Sequence, residues 1–296
     1  MMKAFIFALA MLLTFPVIGN ATRKRAFMVG ISSYKKHYYK TWNSIHGKQD
    51  IDLLSPVLEK HGFTITSVLE EKATYNGILS SLDKFITSLQ KGDIVYLHFS
   101  CHGQPVEDGL KDSTFDEKDG WDESIVPIDA GKEYGVNGYK GEKHITDDEL
   151  NTYIERLRKQ IDSKGMLYVV MDACHAGEMS REGLETVRGT NEALTKSLTK
   201  YNPPRSNIRH FQLENGKGMA PTMFFEACKS RERNTEVRDS NGKEYGALSY
   251  NVFHALNQMN SFGKKDSLKF KEQIEQSTKQ PRRWPKTQTL VIESSY

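Results

Sequence analysis

A histidine and a cysteine each stand where an apolar run gives way to glycine and polar residues. The first run, Ile94-Val95-Tyr96-Leu97, leads into His98-Phe99-Ser100-Cys101-His102-Gly103. The second, Met166-Leu167-Tyr168-Val169-Val170-Met171, leads into Asp172-Ala173-Cys174-His175-Ala176-Gly177. A free thiol, with a pKa of about 8.5, is only slightly ionised at neutral pH, yet its thiolate is a strong nucleophile. An imidazole beside it raises the thiolate population and can later protonate a leaving amine. Cys174 is therefore the candidate nucleophile and His102 the candidate general acid/base of an acyl transfer. The main-chain N–H groups of Gly103 and Cys174 are candidate oxyanion donors, and glycine at 103 lets the backbone approach closely.

Two strand ends meet only if the strands are neighbours, so the flanking elements decide the matter. Apolar periodicity predicts strands over 25–31, 63–69, 94–99, 166–171, 222–227 and 288–292. It predicts helices over 49–61, 74–89, 146–160, 247–259 and 267–276. Gly62 stops the first helix, and Thr146 with Glu149 forms a capping box for the third. Alternating strands and helices imply an α/β fold, a mostly parallel sheet covered on both faces. Sites in such sheets lie beyond the carboxyl ends of the strands, where His102 and Cys174 both fall. The stretches 103–143 and 178–218 are polar, punctuated by glycine and read as long excursions.

Bulk properties are those of a globular chain: 296 residues, 38% hydrophobic, 27% charged, formal charge +3. So small a charge does not imply a nucleic-acid partner. Met1-Met2-Lys3, the apolar core 4–18 and the small residues Gly19 and Ala21 read as a signal peptide over 1–21. The expected product is an exported protein, periplasmic or secreted, with no membrane attachment after cleavage and residues 22–296 forming one domain. Of its three cysteines at most one pair can join, so at least one thiol stays free. A bridge between Cys101 and Cys228 needs Cα atoms within about 7 Å. A bridge between Cys101 and Cys174 would silence the nucleophile under oxidising conditions.

The motifs Ser100-Cys101-His102-Gly103 and Asp172-Ala173-Cys174-His175-Ala176-Gly177 resemble those of caspase-like cysteine peptidases, the metacaspases in particular. Cys101 replaces a usual glycine and Ala176 a usual serine. The acidic stretch from Asp116 to Asp129 also resembles the one metacaspases carry after their histidine. The resemblance implies a caspase-like fold with a six-stranded, mostly parallel sheet flanked by helices, and an endopeptidase working through an acyl-enzyme. It implies that Asp172, with Asp50 and Ser100, lines a pocket for a basic P1 side chain. Two carboxylates in a closed pocket suit Arg or Lys and repel Asp. As a plain sequence feature Asp50 would instead be a helix N-cap.

The resemblance carries further expectations. Many metacaspases depend on calcium, so Asp119, Asp122 and Glu123 are weak candidate ligands, although no cofactor is required and their spacing fits no EF-hand. The 178–218 stretch offers Arg181, Arg188, Lys196, Lys200 and Arg205 as sites of self-processing; a simple surface loop is the plain alternative. The expected partners are protein or peptide substrates, with a monomer favoured. A non-catalytic scaffold on the same fold, another P1 preference, or another Cys–His acyltransferase are the competing readings.

Overall fold

A computed structural model describes residues 22–34, 42–111, 119–173, 186–190, 192–197, 200–202 and 216–296. The chain runs β1 (Lys24–Gly30), α1 (Gly47–Lys60), β2 (Phe63–Leu69), α2 (Tyr75–Thr87) and β3 (Ile94–Ser100). It continues through β4 (His102–Glu107), β5 (Trp121–Val126), β6 (Ile145–Thr146), α3 (Asp147–Ile161) and β7 (Met166–Asp172). It closes with β8 (Thr222–Glu226), β9 (Glu236–Arg238), β10 (Glu244–Gly246), α4 (Ala247–Asn257), α5 (Ser267–Thr278) and β11 (Val291–Ser294).

The main sheet has six strands in the order β11-β8-β7-β3-β1-β2. All pairs are parallel except β11 with β8, which is antiparallel. The fully buried β3 and β7 sit at its centre, as continuous apolar runs demand. Side chains alternate across the sheet. Val95, Leu97, Phe99, Leu167, Val169 and Met171 pack with α2 and α3 in one core. Ile94, Tyr96, Met166, Tyr168 and Val170 pack with α1, α4 and α5 in the other. The same alternation sends His98, Ser100 and Asp172 toward the α1/α4 layer, where polar partners await them.

Register finishes the positioning. Gly30 pairs with Ser100, and Ser100 with Asp172, so three strand ends lie side by side. Helix α1 comes down onto this edge because Gly47 has no side chain: a Cβ there would lie 2.2 Å from the Ser100 carbonyl oxygen. Its first turn is capped from outside, Ser32 Oγ accepting from the Lys48 N–H at 2.9 Å. Asp50 is therefore not the N-cap; it sits within the helix and aims its carboxylate at the strand ends.

The 103–143 stretch is less irregular than its polarity suggests. β4, β5 and β6 form a second, antiparallel sheet. Several of their polar side chains are satisfied internally, which hides the strands from a hydrophobic-pattern reading. Ser124 Oγ donates to the Gln104 carbonyl (2.7 Å), and the Gln104 amide donates to the carbonyls of Lys132 (2.9 Å) and Glu192 (2.7 Å). Gln104 Oε1 lies 2.7 Å from His144 Nε2, and the other ring nitrogen lies 2.6 Å from the Tyr139 hydroxyl. Cys101 and Cys228 are buried free thiols, not a bridge. The expected signal segment 1–21 and Cys174 lie outside the described residues. Among the described residues no helix is long and apolar enough to cross a membrane.

Candidate active site

His102 opens β4, one residue past the break that ends β3. Its ring stacks on Trp42 at 5.0 Å between centroids and tilts against Tyr34 at 4.8 Å. The Tyr34 hydroxyl accepts from the His102 main-chain N–H (2.9 Å) and donates to the Val126 carbonyl (2.9 Å). His102 Nε2 lies 2.7 Å from the Asn43 carbonyl oxygen, which can only accept, so this nitrogen carries the proton. Nδ1 is buried and has no hydrogen-bond partner among the described residues. Its lone pair is left available as a base. Burial pushes the imidazole pKa down to about 4, against the pull of its bond to Asn43, so the ring is neutral at pH 7. Gly103 follows as a buried residue of β4 opposite Ile125.

The second half of the constellation is a buried acidic pocket. Asp50, Asp172 and Ser100, all expected there, come together around a residue of the chain itself, Arg188. Arg188 Nη1 lies 2.7 Å from Asp50 Oδ2, 2.6 Å from Ser100 Oγ and 3.8 Å from Asp172 Oδ1. Its Nε and Nη2 both donate to Glu236 Oε1, at 3.0 and 2.7 Å. Asp50 also accepts from Ser100 Oγ (2.6 Å) and the Gly246 N–H (3.0 Å). Asp172 is fixed by the Asn234 amide (2.7 Å) and by the N–H and hydroxyl of Ser249 (2.8 and 2.7 Å).

Electrostatics follow from one cation among three carboxylates. Burial works against the Arg188 charge, but Asp50, Asp172 and Glu236 together hold its pKa above the ordinary arginine value. Burial lifts Asp50 to about 6, with Arg188 opposing and Asp172 adding to the rise. Behind Glu236 stands His46, bonded to it through Nδ1 and 3.5 Å from Glu244 through Nε2. Its hydrogen bond to Glu236 raises the imidazole pKa. His46, Glu236 and Glu244 are the group of three ligand-type side chains that converges among the described residues. The imidazole lies between the two carboxylates.

Comparison with known proteins identifies the architecture. Residues 24–181, more than half of the chain, match the family model of the metacaspase, peptidase C14 domain. The chain belongs to the metacaspase family. It is 27% identical over 168 residues to Metacaspase-1 of Candida albicans, covering 53% of this chain and 34% of that one. With Metacaspase-2 of Arabidopsis thaliana it is 31% identical over 173 residues, covering 55% and 36%. It thus spans about a third of the length of these curated relatives. A crystal structure of a Geobacter sulfurreducens protein superposes with a TM-score of 0.59 at 19% identity, over 92% of this chain and 93% of that one. Caspase-1 from Spodoptera frugiperda gives 0.50 at 13% identity, over 94% and 92%. These solved structures share the caspase-like fold.

In this metacaspase several site residues escape a reading of the sequence. Glu236 and Asn234 lie in a turn-rich stretch with no strand signal longer than three residues. Gly246 is a glycine because a Cβ would lie 2.2 Å from Asp172 Oδ2 and 2.6 Å from Arg188 Nη1. Trp42 and Tyr34 flank a segment without periodicity, and only their aromatic character marks them. Asp119, Asp122 and Glu123 do not converge with each other on a common point among the described residues: the Asp119 carboxylate accepts from the Trp121 N–H, and the Glu123 N–H donates to Asp147. Lys196 and Lys200 are exposed, whereas Arg181 and Arg205 lie outside the described residues.

The buried histidines make the fold acid-sensitive. His98, between Tyr96 and Ser249, is pushed down by burial to about 3, and so is His144. With His102 at about 4, three imidazoles that would protonate near pH 6.5 when unfolded stay neutral when folded. The unfolded chain then binds more protons, so stability held above pH 6.5 is lost as pH falls, by up to about 1.4 kcal/mol per pH unit per histidine. Asp50 and His46, whose pKa values are raised, act in the opposite sense but are two groups against three. The urea midpoint is expected to fall steeply from pH 7 to pH 5; a flat profile would contradict this account.

Proposed function

We propose that this metacaspase is a cysteine endopeptidase that cleaves after basic P1 residues, arginine before lysine. His102 Nδ1 takes the Cys174 thiol proton as the sulfur attacks the peptide carbonyl, that proton passes to the leaving amine as the thioester forms, and water then releases the acyl group. The N–H groups of Gly103 and Cys174 receive the oxyanion. Asp50, Asp172 and Ser100 bind the P1 side chain, with Glu236 as a further member of the pocket. The observation that carries the reading is the guanidinium already seated there: both of its arms find acceptors, at 2.7 Å on Asp50 and 2.7 Å on Glu236. A lysine ammonium reaches one such point and not two, hence the order of preference. Self-processing within 178–218, export directed by residues 1–21 and action on protein substrates belong to the same proposal.

The test is a set of fluorogenic peptides with P1 Arg, Lys or Asp, assayed beside Cys174→Ala. Turnover of Arg above Lys, none of Asp, and none of any in Cys174→Ala is expected. Fast P1 Asp cleavage would overturn the pocket assignment, equal rates in the Cys174 variant would show that another group is the nucleophile, and no turnover by wild type would favour a non-catalytic scaffold. Parallel assays in chelator and in millimolar calcium test a role for Asp119, Asp122 and Glu123. Reductant raising the rate would point to Cys101–Cys174 pairing.

A further inference from the structure

The edge of the main sheet opposite the catalytic one carries lysines and bare apolar side chains together. The turns feeding β3 and β7 bring the exposed Lys91 and Lys164 there. The turn before α5 lies against the same strand ends: a Cβ on Gly263 would stand 3.3 Å from Ile94 Cδ1, and Lys264 Nζ donates to the Ser163 carbonyl at 2.6 Å. Lys265 and Lys269 follow, both exposed. Asp162 faces Lys91 at 3.8 Å, and Asp266 accepts from Ser261 Oγ at 3.1 Å. Leu268 and Tyr296, 62% and 53% exposed, are the large hydrophobic residues left open to solvent among the described residues, and they are neighbours. Strand β11 runs antiparallel to β8 and returns the chain to this edge, where the Ser295 N–H donates to the Thr222 carbonyl (3.0 Å) and the Tyr296 hydroxyl is bonded to Ser267, next to Leu268.

Folding alone does not call for this arrangement. The other exposed positions of α5, Lys269, Glu272 and Gln276, are polar, as the solvent side of a helix requires, and Leu268 breaks the pattern. The first turn of α5 holds no acidic residue, and Lys264, Lys265 and Lys269 gather at its positive end, where cations are disfavoured. We infer that this edge is a peripheral docking face for an anionic lipid bilayer, its lysines on the headgroup phosphates and Leu268 with Tyr296 entering the interface. Basic side chains around an aliphatic and a phenolic one are what interfacial binding uses. Lysines alone would serve a nucleic acid or an acidic protein equally; the two bare apolar side chains select lipid.

Connectivity points the same way. Lys24 opens β1 between Ile94 and Phe63, and the Ile94 N–H donates to the Arg23 carbonyl (2.9 Å), so the chain enters the fold at this edge. Residues 19–22 span at most about 18 Å, so a bilayer that takes up the apolar run 4–18 meets this face. Docking here turns the catalytic edge outward: strands of seven residues separate the two edges, which holds His102 and the acidic pocket about 20 Å from the headgroups. The inference departs from the expectation, on sequence, of no membrane attachment after cleavage. A face assembled from positions 91, 164, 264–269 and 296 leaves no mark on any single stretch of chain. It does not depend on the proposed P1 preference.

The experiment measures cosedimentation of the full chain with phosphatidylcholine vesicles, with and without phosphatidylglycerol. Partition onto the anionic vesicles is expected to be stronger by about tenfold or more, and to fall away in 1 M salt, where the Debye length is about 3 Å. A retained apolar run 4–18 adds equally on both vesicle types, so the difference between them reads this face. Lys265→Glu with Lys269→Glu should erase about tenfold or more of the anionic preference. The same reversal at the exposed Lys140 and Lys243, in loops around the site, should not. Leu268→Ser should weaken anionic partition by about threefold or more and leave Tm unchanged, since the side chain is already open to solvent. Turnover of a soluble peptide should be the same in wild type and in the Lys265/Lys269 variant. Equal partition onto both vesicle types, or a preference that Lys265→Glu with Lys269→Glu leaves intact, would overturn the inference. So would an equal loss in the Lys140/Lys243 variant, or retention on DNA or an acidic polypeptide with none on vesicles.

Discussion

Replacing His102 with alanine is expected to lower kcat on a P1-Arg peptide by about a thousandfold or more, and to lower Tm as well, since its buried ring packs on Trp42 and Tyr34. The ring's Nδ1 is buried and without a hydrogen-bond partner among the described residues, while Nε2 is committed to the Asn43 carbonyl. A neutral base of this kind must take the thiol proton before it can return one. Held down by burial at about 4, it should put an acid limb in kcat/KM near pH 4: activity is lost as pH falls and the ring becomes cationic. The nearby Arg188 charge contributes to that depression, so Arg188→Ala should move the limb upward. His102→Ala must abolish the limb along with the activity; a variant retaining both would show that another group is the base.

The second large effect is expected at the acidic pocket, where Asp50 and Asp172 should separate experimentally. Asp50 touches the guanidinium directly at 2.7 Å, so Asp50→Asn removes one partner of a buried ion pair. Such losses cost about 2–5 kcal/mol, or about thirtyfold to several-thousandfold in kcat/KM for P1 Arg. Asp172 stands further off, at 3.8 Å, and holds Asn234 and Ser249 through three donated bonds. Asparagine there would turn an NH2 toward donors, leaving one of them unsatisfied. Asp172→Asn should therefore lower Tm as well as kcat/KM, while Asp50→Asn acts on kcat/KM for Arg more than on stability. Equal Tm losses in the two variants would contradict this division. The comparison is best made in an Arg188→Ala background, so that peptide binding is read without the chain's own guanidinium in the pocket.

The elements with a strong period were legible in the sequence. The central strands β3 and β7 are continuous apolar runs, and the residues breaking them, His102 and Asp172, fall at the predicted edge. Asp50, Asp172 and Ser100 meet as expected because strand register and the close approach of α1 at Gly47 are local consequences of residue type. The antiparallel sheet of β4, β5 and β6 was not legible. Its strands are built from Gln104, Asp122, Glu123 and Ser124, whose burial depends on bonds to distant groups such as the Glu192 carbonyl. Glu236 opens a short strand paired with nearby β10 and Asn234 precedes it, but what brings both to the site is tertiary, as in the isolated Val187–Thr235 bridge, and no local pattern encodes such a contact. Arg188 was visible only as one basic residue among several; its burial among three carboxylates is a tertiary fact.

The edge formed by residues 234–236 has a consequence for which proteins can be attacked. To pair with it as residues 186–188 do, a visiting chain would have to offer a free N–H and, two residues before it, a free C=O, as Arg188 and Thr186 do opposite Asn234 and Glu236. In a helix those groups are already bonded to the next turn, and in the middle of a sheet to the neighbouring strands. An arginine in either setting is invisible to the pocket until its surroundings melt. Under the proposed P1 preference, the groove would read local unfolding before it reads sequence. Folded proteins should be nicked at frayed ends and extended loops and otherwise spared, while denatured ones are cut at arginine after arginine.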